Sequence, residues 1–169
     1  MDALKAIMTR RSIRKYTKEV VPDELIKEVL AAGMSAPSAR NEQPWHFVVL
    51  SDRNIINRIM DFHPYAVMLK ETPLAILVCG DLKVTPDEGY VVVDCSAATE
   101  NILLAAHALN LGAVWLGIYP RPERITGMRK LLTLPEHILP VALIALGYPA
   151  ETKPCEDRYN DSVIHYNKW

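Results

Sequence analysis

Hydrophobic positions along the chain fall into a succession of helix-period and strand-length blocks, and the longest block organises the rest. From Gly89 to Gly112 the sequence GYVVVDCSAATENILLAAHALNLG is apolar on nearly every side of a helix. Its strand-like start, Tyr90 to Val93, passes without a proline into a run rich in Ala and Leu, and Gly112 stands where a helix would stop. About 22 residues at roughly 1.5 Å each make a rod of about 33 Å, long enough to cross a small domain. Asp94 and Asn101 share one face of it, while Ser96, Glu100 and His107 lie near the opposite face. So little polar surface requires cover from a sheet, other helices or a second subunit. The interior charges argue against a membrane span.

Shorter blocks flank this rod. Asp2 caps a first helix with Leu4, Ile7 and Met8 on one face, and Pro22 opens a second with Leu25, Ile26, Val29, Leu30 and Gly33 inward. Asp52 caps a third carrying Ile55, Ile56, Ile59 and Met60, a short helical piece spans 65–70, and Pro122 starts another with Ile125, Met128, Leu131 and Leu132 inward. Strands are expected at 45–50, 74–80, 113–119 and 139–146. The run from Leu74 to Gly80 is continuously apolar, so both of its faces should be covered. After Gly147 the composition turns charged, yet Tyr159, Val163, Ile164, Tyr166 and Trp169 punctuate the segment. Such an arm needs a surface to lie on, and a partner's sheet edge would serve.

Composition narrows the class. A chain of 169 residues, half of them hydrophobic, suits one domain with a sizeable core, and a net charge of -1 gives no global pull toward nucleic acid or membrane. Cys79, Cys95 and Cys155 lie far apart with no CxxC pair, so no metal site, iron–sulfur cluster or disulfide framework is expected, and the first two read as packing residues. No secretory signal is visible at the start, which places the expected compartment in the cytoplasm.

Two segments carry candidate chemistry. In RRSIRK, residues 10–15, four cations surround the Ser12 hydroxyl, and Arg10, Arg11 and Arg14 offer planar donors that suit a phosphate. A solvated basic turn has the same sequence, and a nucleic-acid contact is disfavoured because no other basic cluster continues the patch. The loop from Ser35 to Pro44, bounded by Pro37 and Pro44 and filled with small and amide side chains, empties into a buried strand, a common place for a ligand. The five histidines are scattered, and His46 and His107 read as packed or satisfied residues. There is no GxGxxG and no phosphate loop after Gly112, so a nicotinamide dinucleotide would be a passing substrate.

RRSIRKY, then PSARNEQPWHFVVL, then the Ala-rich helix leading into LGAVWLGIYP, then a tail ending RYNDSVIHYNKW, together resemble the FMN-dependent nitroreductase family over almost the whole chain. The resemblance implies an α+β fold with a mostly antiparallel mixed central sheet flanked by helices. It implies an intertwined homodimer, with residues 1–147 as the flavin-binding core and 148–169 as an arm exchanged onto the partner. It further implies tightly bound FMN at the subunit interface. Arg10, Arg11, Ser12 and Arg14 match the family segment that holds the FMN phosphate, and Arg158 matches a late cation returning to it. Pro37, Ser38, Ala39 and Asn41 match a loop reaching FMN from the other subunit, with Asn41 and Gln43 directed at flavin or ribityl oxygens. Leu116 and Gly117 fall where backbone N–H groups approach the ring near N5.

The implied activity is passage of hydride from NAD(P)H through flavin N5 to a nitroaromatic, quinone or similar small-molecule acceptor in a ping-pong cycle. No catalytic side chain is nominated, because the cofactor carries the chemistry. A flavin-binding protein without turnover is the rival class. Within the family a reductive dehalogenase, an enone reductase or a flavin-fragmenting enzyme is an alternative. The chain is short, lacks the insertion that larger members use as a substrate lid, and lacks a ferredoxin-like cysteine cluster. Neither the physiological acceptor nor the choice between NADH and NADPH is legible.

Overall fold

The computed structural model describes residues 1–169. In chain order the elements are α1 (Ala3–Thr9), α2 (Asp23–Met34), β1 (Trp45–Leu50), α3 (Arg53–Ile59), β2 (Leu74–Asp81), α4 (Glu88–Ala108), β3 (Gly112–Gly117), α5 (Pro122–Leu132) and β4 (Ile138–Gly147). One-turn helices lie at Ala39–Asn41, Val67–Lys70 and Asp161–Val163. The strands form one sheet in the order β1-β2-β4-β3, and every pairing is antiparallel. The expected mixed character is confined to an isolated parallel bridge between Ser12 and Ala113.

The continuous apolar runs of β2 and β4 fill two cores because alternate residues point to opposite faces of the sheet. Leu74, Ile76 and Val78 of β2 join Ile144 and Leu146 of β4 under α2 and α4. Ala75, Leu77 and Cys79 join Leu143 and Ala145 on the other face, under α3, α5 and the turn at 67–70. The layers are thus helix, sheet, helix. In the centre, the register shifts between Val78 and Cys79, which face Ala142 and Pro140, leaving Val141 as the extra residue of a bulge. Pro140 donates no N–H to the ladder, and the carbonyl of Val141 accepts from both Ile118 and Tyr119. The bulge therefore fixes where the chain turns after β3.

The central helix starts within one residue of the expected position and ends earlier than expected. Tyr90 to Val93 are helical, because the Asp87 carboxylate accepts from the N–H groups of Gly89 and Tyr90 and starts the helix at Glu88. The helix stops at Ala108, and the reversal is made by Asn110 at φ 61. Gly112 is instead the first residue of β3, with an ordinary φ. Its absent side chain has another reason: a Cβ there would lie 2.8 Å from Ile13 Cγ2, so the residue is small to let the basic segment lie against the sheet. Cover is also incomplete within one chain. Asp94, Cys95, Ala98, Ile102 and Ala106 are buried, but Val93 and Tyr90 face solvent.

Cys79 and Cys95 are buried packing residues whose thiols burial pushes up to about 12. His46 is not packed: it stands exposed, 3.8 Å from Asp81. No helix is long and apolar enough to cross a membrane.

Candidate functional site

The basic segment is held along the edge of β3 by its apolar members, which turns its cations outward. Asp2 caps α1 by accepting from the Lys5 N–H at 2.9 Å, and beyond Thr9 the chain extends, with the Ile13 N–H bonded to Ala113. Ile13 and Tyr16 are buried, and the Tyr16 hydroxyl lies 2.6 Å from the Ile13 carbonyl. The start of the arm returns beside this segment through bonds from Thr17 to Tyr148 and from Ala150 to Lys15. Glu151 accepts the Arg14 N–H at 2.6 Å, and Lys153 Nζ donates to the Ser12 carbonyl at 2.7 Å.

The result is a cleft of about 330 Å³ walled by Arg11, Ser12, Arg14, Lys153, Pro154, Glu156 and Arg158, without a hydrophobic side chain. Four cations face one carboxylate there. Arg11 is fixed by three carbonyls, those of Met8, Arg10 and Pro154, while its buried Nη2 has no partner. Arg11, Ser12, Arg14 and Arg158 are thereby brought together although Arg158 lies 147 positions after Arg11 in the chain. Arg10 is not among them. Its Nε is 3.3 Å from Glu100 on α4, and it lines a different cleft beside Thr9 and His107, whose Nε2 is 2.7 Å from the Thr9 hydroxyl.

Arg14 also borders a second cleft of about 500 Å³, shared with His63, Tyr65, Met68, Trp115, Leu116, Gly117 and Arg124 among others. Leu116 and Gly117 thus line a cleft that meets the cation cleft at Arg14. At Gly117 the space for a side chain is open: a Cβ would meet nothing nearer than the Tyr119 carbonyl at 3.8 Å, and φ is not positive. A flat ligand can approach the backbone there. The Gly117 carbonyl is held from behind by Arg124 Nη1 at 2.7 Å and His63 Nε2 at 3.1 Å. His63 is only 2% exposed, and burial together with Arg124 lowers its pKa, so near neutral pH its Nε2 carries the single proton that reaches Gly117.

The loop bearing Pro37, Ser38, Ala39, Asn41 and Gln43 lies elsewhere. Pro37, Ser38 and Ala39 border a separate groove of about 300 Å³ with Tyr90, Val93, Asp94 and Ala97, and no residue is common to this groove and the two clefts. Asn41 and Gln43 are exposed, with Arg40, Asn41 and Gln43 all at positive φ. Three non-glycine residues so close together in the left-handed region store strain, a feature that gathers at ligand-binding loops. Asp94 holds the loop, accepting the Ala39 N–H at 3.0 Å, while Ser38 Oγ accepts from Gln43 at 3.0 Å. Asn101 similarly donates to Ala32 at 3.0 Å. The polar face of α4 that the sequence displayed is therefore the anchor of the loop and of the end of α2.

Sequence reasoning passed over Lys153, His63, Tyr65, Trp115 and Arg124. Lys153 stands in a charged segment without pattern, and its partner Ser12 is distant in the chain. His63 carried a signal of sorts, an imidazole directly before Pro64 at the end of a short helix. No grouping of three or more His, Cys, Asp or Glu could hold a metal ion.

The domain is thus a three-layer α+β unit in which a polar, cationic cleft and a cleft with open backbone at Gly117 share Arg14. The nitroreductase family model matches residues 7–63 and 64–148. The chain belongs to the nitroreductase family, whose members are oxidoreductases. It is 50% identical to a candidate NADH dehydrogenase/NAD(P)H nitroreductase of Methanothermobacter thermautotrophicus, over all of this chain and 88% of the relative. A crystal structure of a candidate NADH dehydrogenase/NAD(P)H nitroreductase from Parabacteroides distasonis superimposes with a TM-score of 0.95 at 44% identity, covering 98% of each chain. Another, of a candidate nitroreductase from Desulfovibrio desulfuricans in complex with FMN, gives 0.86 at 35% identity over 100% of this chain and 99% of the other.

Proposed function

We propose that this chain is an FMN-dependent oxidoreductase in which a reduced nicotinamide and a nitroaromatic, quinone or similar acceptor take turns over Gly117. The observation that carries the reading is the sharing of Arg14 between a purely polar cationic cleft and a cleft floored by Trp115, Leu116 and Gly117. The donor set fits FMN: Arg14, Arg11, Lys153, Arg158 and the Ser12 hydroxyl for the phosphate, and the open backbone at Leu116–Gly117 for the ring. Bound there, FMN would supply the two-electron redox chemistry that links the nicotinamide to the acceptor.

The chain's own part is orientation and charge. Arg124 and His63 clamp the Gly117 carbonyl, which keeps the adjoining backbone from shifting as substrates exchange. Placing a side chain in the open space should be tolerated by the fold and resented by the ligand: Gly117→Val should fold with unchanged cooperativity yet bind FMN at least about tenfold more weakly, by loss of close approach. Circular dichroism melts beside fluorescence titration of FMN into the apoprotein check it. A variant that binds FMN normally would remove the ring from this position.

We infer a homodimer with two sites. The loop at 37–43 and the cation cleft do not meet within one chain, and Leu4, Met8 and Val93 present apolar surface that a second copy would cover. On this reading residues 1–147 are the core, and the partner supplies Pro37, Ser38, Ala39, Asn41 and Gln43 to each flavin. The arm divides further than the boundary at 148 suggested, since Tyr148 to Pro154 are bonded to their own chain, Glu156 and Arg158 wall its cation cleft, and residues 159–169 are left to cross.

Steady-state kinetics test the cycle. With NADH or NADPH varied against a nitroaromatic or quinone, double-reciprocal plots should be parallel, because both substrates need one cleft and neither enters until the other has left. Intersecting lines would establish a ternary complex and a separate nicotinamide site. Yellow protein that neither NADH nor NADPH bleaches under anaerobic conditions would make this a flavin carrier without turnover.

A further inference from the structure

We propose that Arg124 is an anion anchor for the acceptor, and that the acceptors this enzyme favours are aromatic compounds bearing a carboxylate or phenolate. The proposal rests on the reading that the flavin ring lies over Leu116 and Gly117, and it names the substrate class of that same cleft.

The cleft is lined by two arginines, Arg14 and Arg124, and by no Asp or Glu. Arg14 belongs to the phosphate end, which it shares with the polar cleft, so Arg124 is the cation left for whatever lies over the ring. Its guanidinium is under-used by the protein. Nη1 donates to Gly117, Nε is buried without a partner, and no carboxylate lies within ion-pair distance. Arg10 and Arg40, by contrast, pair with Glu100 and Glu42. The one other titratable group against it, apart from the Tyr65 phenol, is His63, which burial and Arg124 itself keep neutral and which offers no compensating charge. A planar fork fixed at one corner by a carbonyl, with donors to spare, is suited to a carboxylate or phenolate.

The surroundings select the rest of the molecule. Arg124 sits 5.6 Å from the centroid of the Tyr65 ring, and that ring is 72% exposed. Val67, Met68 and Leu116 complete an apolar lining, while the Trp115 side chain packs toward the opposite face of the sheet with the core under α2 and α4. An aromatic body would lie against Tyr65 and this lining with its anionic substituent at the guanidinium. A neutral nitroaromatic would find the same faces but no counter-charge to neutralise Arg124.

Redox-inactive probes read this without turnover. Benzoate and benzamide, isosteres differing in charge, are titrated into oxidised holoenzyme and followed by the flavin absorbance change. Wild type should bind benzoate about tenfold more tightly, a preference that falls between roughly 10 mM and 500 mM salt as an ion pair in a half-open cleft must. Arg124→Gln should bring the two probes level, and Arg124→Lys should keep part of the preference. Should Arg124→Gln lose FMN, the lysine variant and the salt series on wild type still decide. Equal affinity of wild type for benzoate and benzamide overturns the anchor. So does an Arg124→Gln enzyme that keeps its benzoate preference but has a raised KM for NADH, which would give the guanidinium to the dinucleotide phosphates. Protein purified without flavin, and unable to take it up, overturns the functional reading itself.

Discussion

Arg14→Ala should cost FMN about ten- to a hundredfold in affinity, whereas Lys15→Ala, one residue on, should leave it within about twofold. The guanidinium of Arg14 makes no contact with any protein acceptor, and it borders both clefts. Its backbone is secured independently, by Glu151 on the Arg14 N–H and by buried Ile13 and Tyr16 on either side. Alanine should therefore remove the charge without releasing the segment. A phosphomonoester carries roughly −1.5 to −2 charges near neutrality, and a charge-assisted hydrogen bond is worth roughly 1.5–3 kcal/mol, which at about 1.4 kcal/mol per decade gives the range stated. Lys15 is exposed and borders neither cleft. Arg10→Ala should fall between the two, since Arg10 is engaged with Glu100 and acts on the phosphate only at a distance. Riboflavin, which lacks the phosphate, should bind wild type poorly and be indifferent to Arg14→Ala. Fluorescence titrations of both flavins into apoprotein supply the comparison, and equal wild-type affinity for the two would remove the phosphate from this cleft.

The contrast between Arg10 and Arg14 marks the limit of what residue type alone can carry. A cluster such as RRSIRK announces phosphate chemistry by its donors, but which guanidinium turns inward depends on whether a carboxylate waits nearby. Glu100, far off in the chain on the middle helix, settles it for Arg10. Elements were legible wherever pattern is local: Trp45–Leu50 stands as read and the doubly buried run from Leu74 to Gly80 is longer by only Asp81, because an apolar run is written in consecutive residues. The end of α4 was misread because glycine is the commonest residue in a left-handed helix stop, and here Asn110 takes that conformation while Gly112 is small for the sake of Ile13. Lys153, His63 and Arg124 had no such local mark. They acquire meaning from partners at Ser12 and Gly117, contacts that exist only once the sheet has formed.

Truncation after Cys155 should abolish dimerisation and flavin retention together. Residues up to Pro154 keep their bonds to Arg11, Ser12 and Arg14, so the variant retains its core and most of the cation cleft, losing only Glu156 and Arg158 from the wall. What it loses otherwise is apolar surface with no home in its own chain: Tyr159, Val163 and Tyr166 are largely exposed, and Trp169 is 100% exposed with only a stacked His165 for company. Laying each such side chain on a partner contributes about 1.5–3 kcal/mol at full burial, and two-fold symmetry counts every contact twice. Four anchors on each of two arms supply roughly 12–24 kcal/mol at full burial, against roughly 4–15 kcal/mol for association, so losing them tips the balance toward monomer. Flavin should follow the dimer because the loop at 37–43 lies apart from the cation cleft of its own chain. A monomer would own half of each site, and ligand that binds only the assembled form is coupled to assembly by mass action. Added FMN should accordingly raise the dimer fraction of a variant weakened at one anchor, Trp169→Ala for instance. Sedimentation across a protein dilution series, read at protein and flavin wavelengths, tracks both sides of the coupling. A truncated monomer that keeps one FMN per chain would show that the site is complete within one subunit and that the strained loop at 40–43 serves some other end.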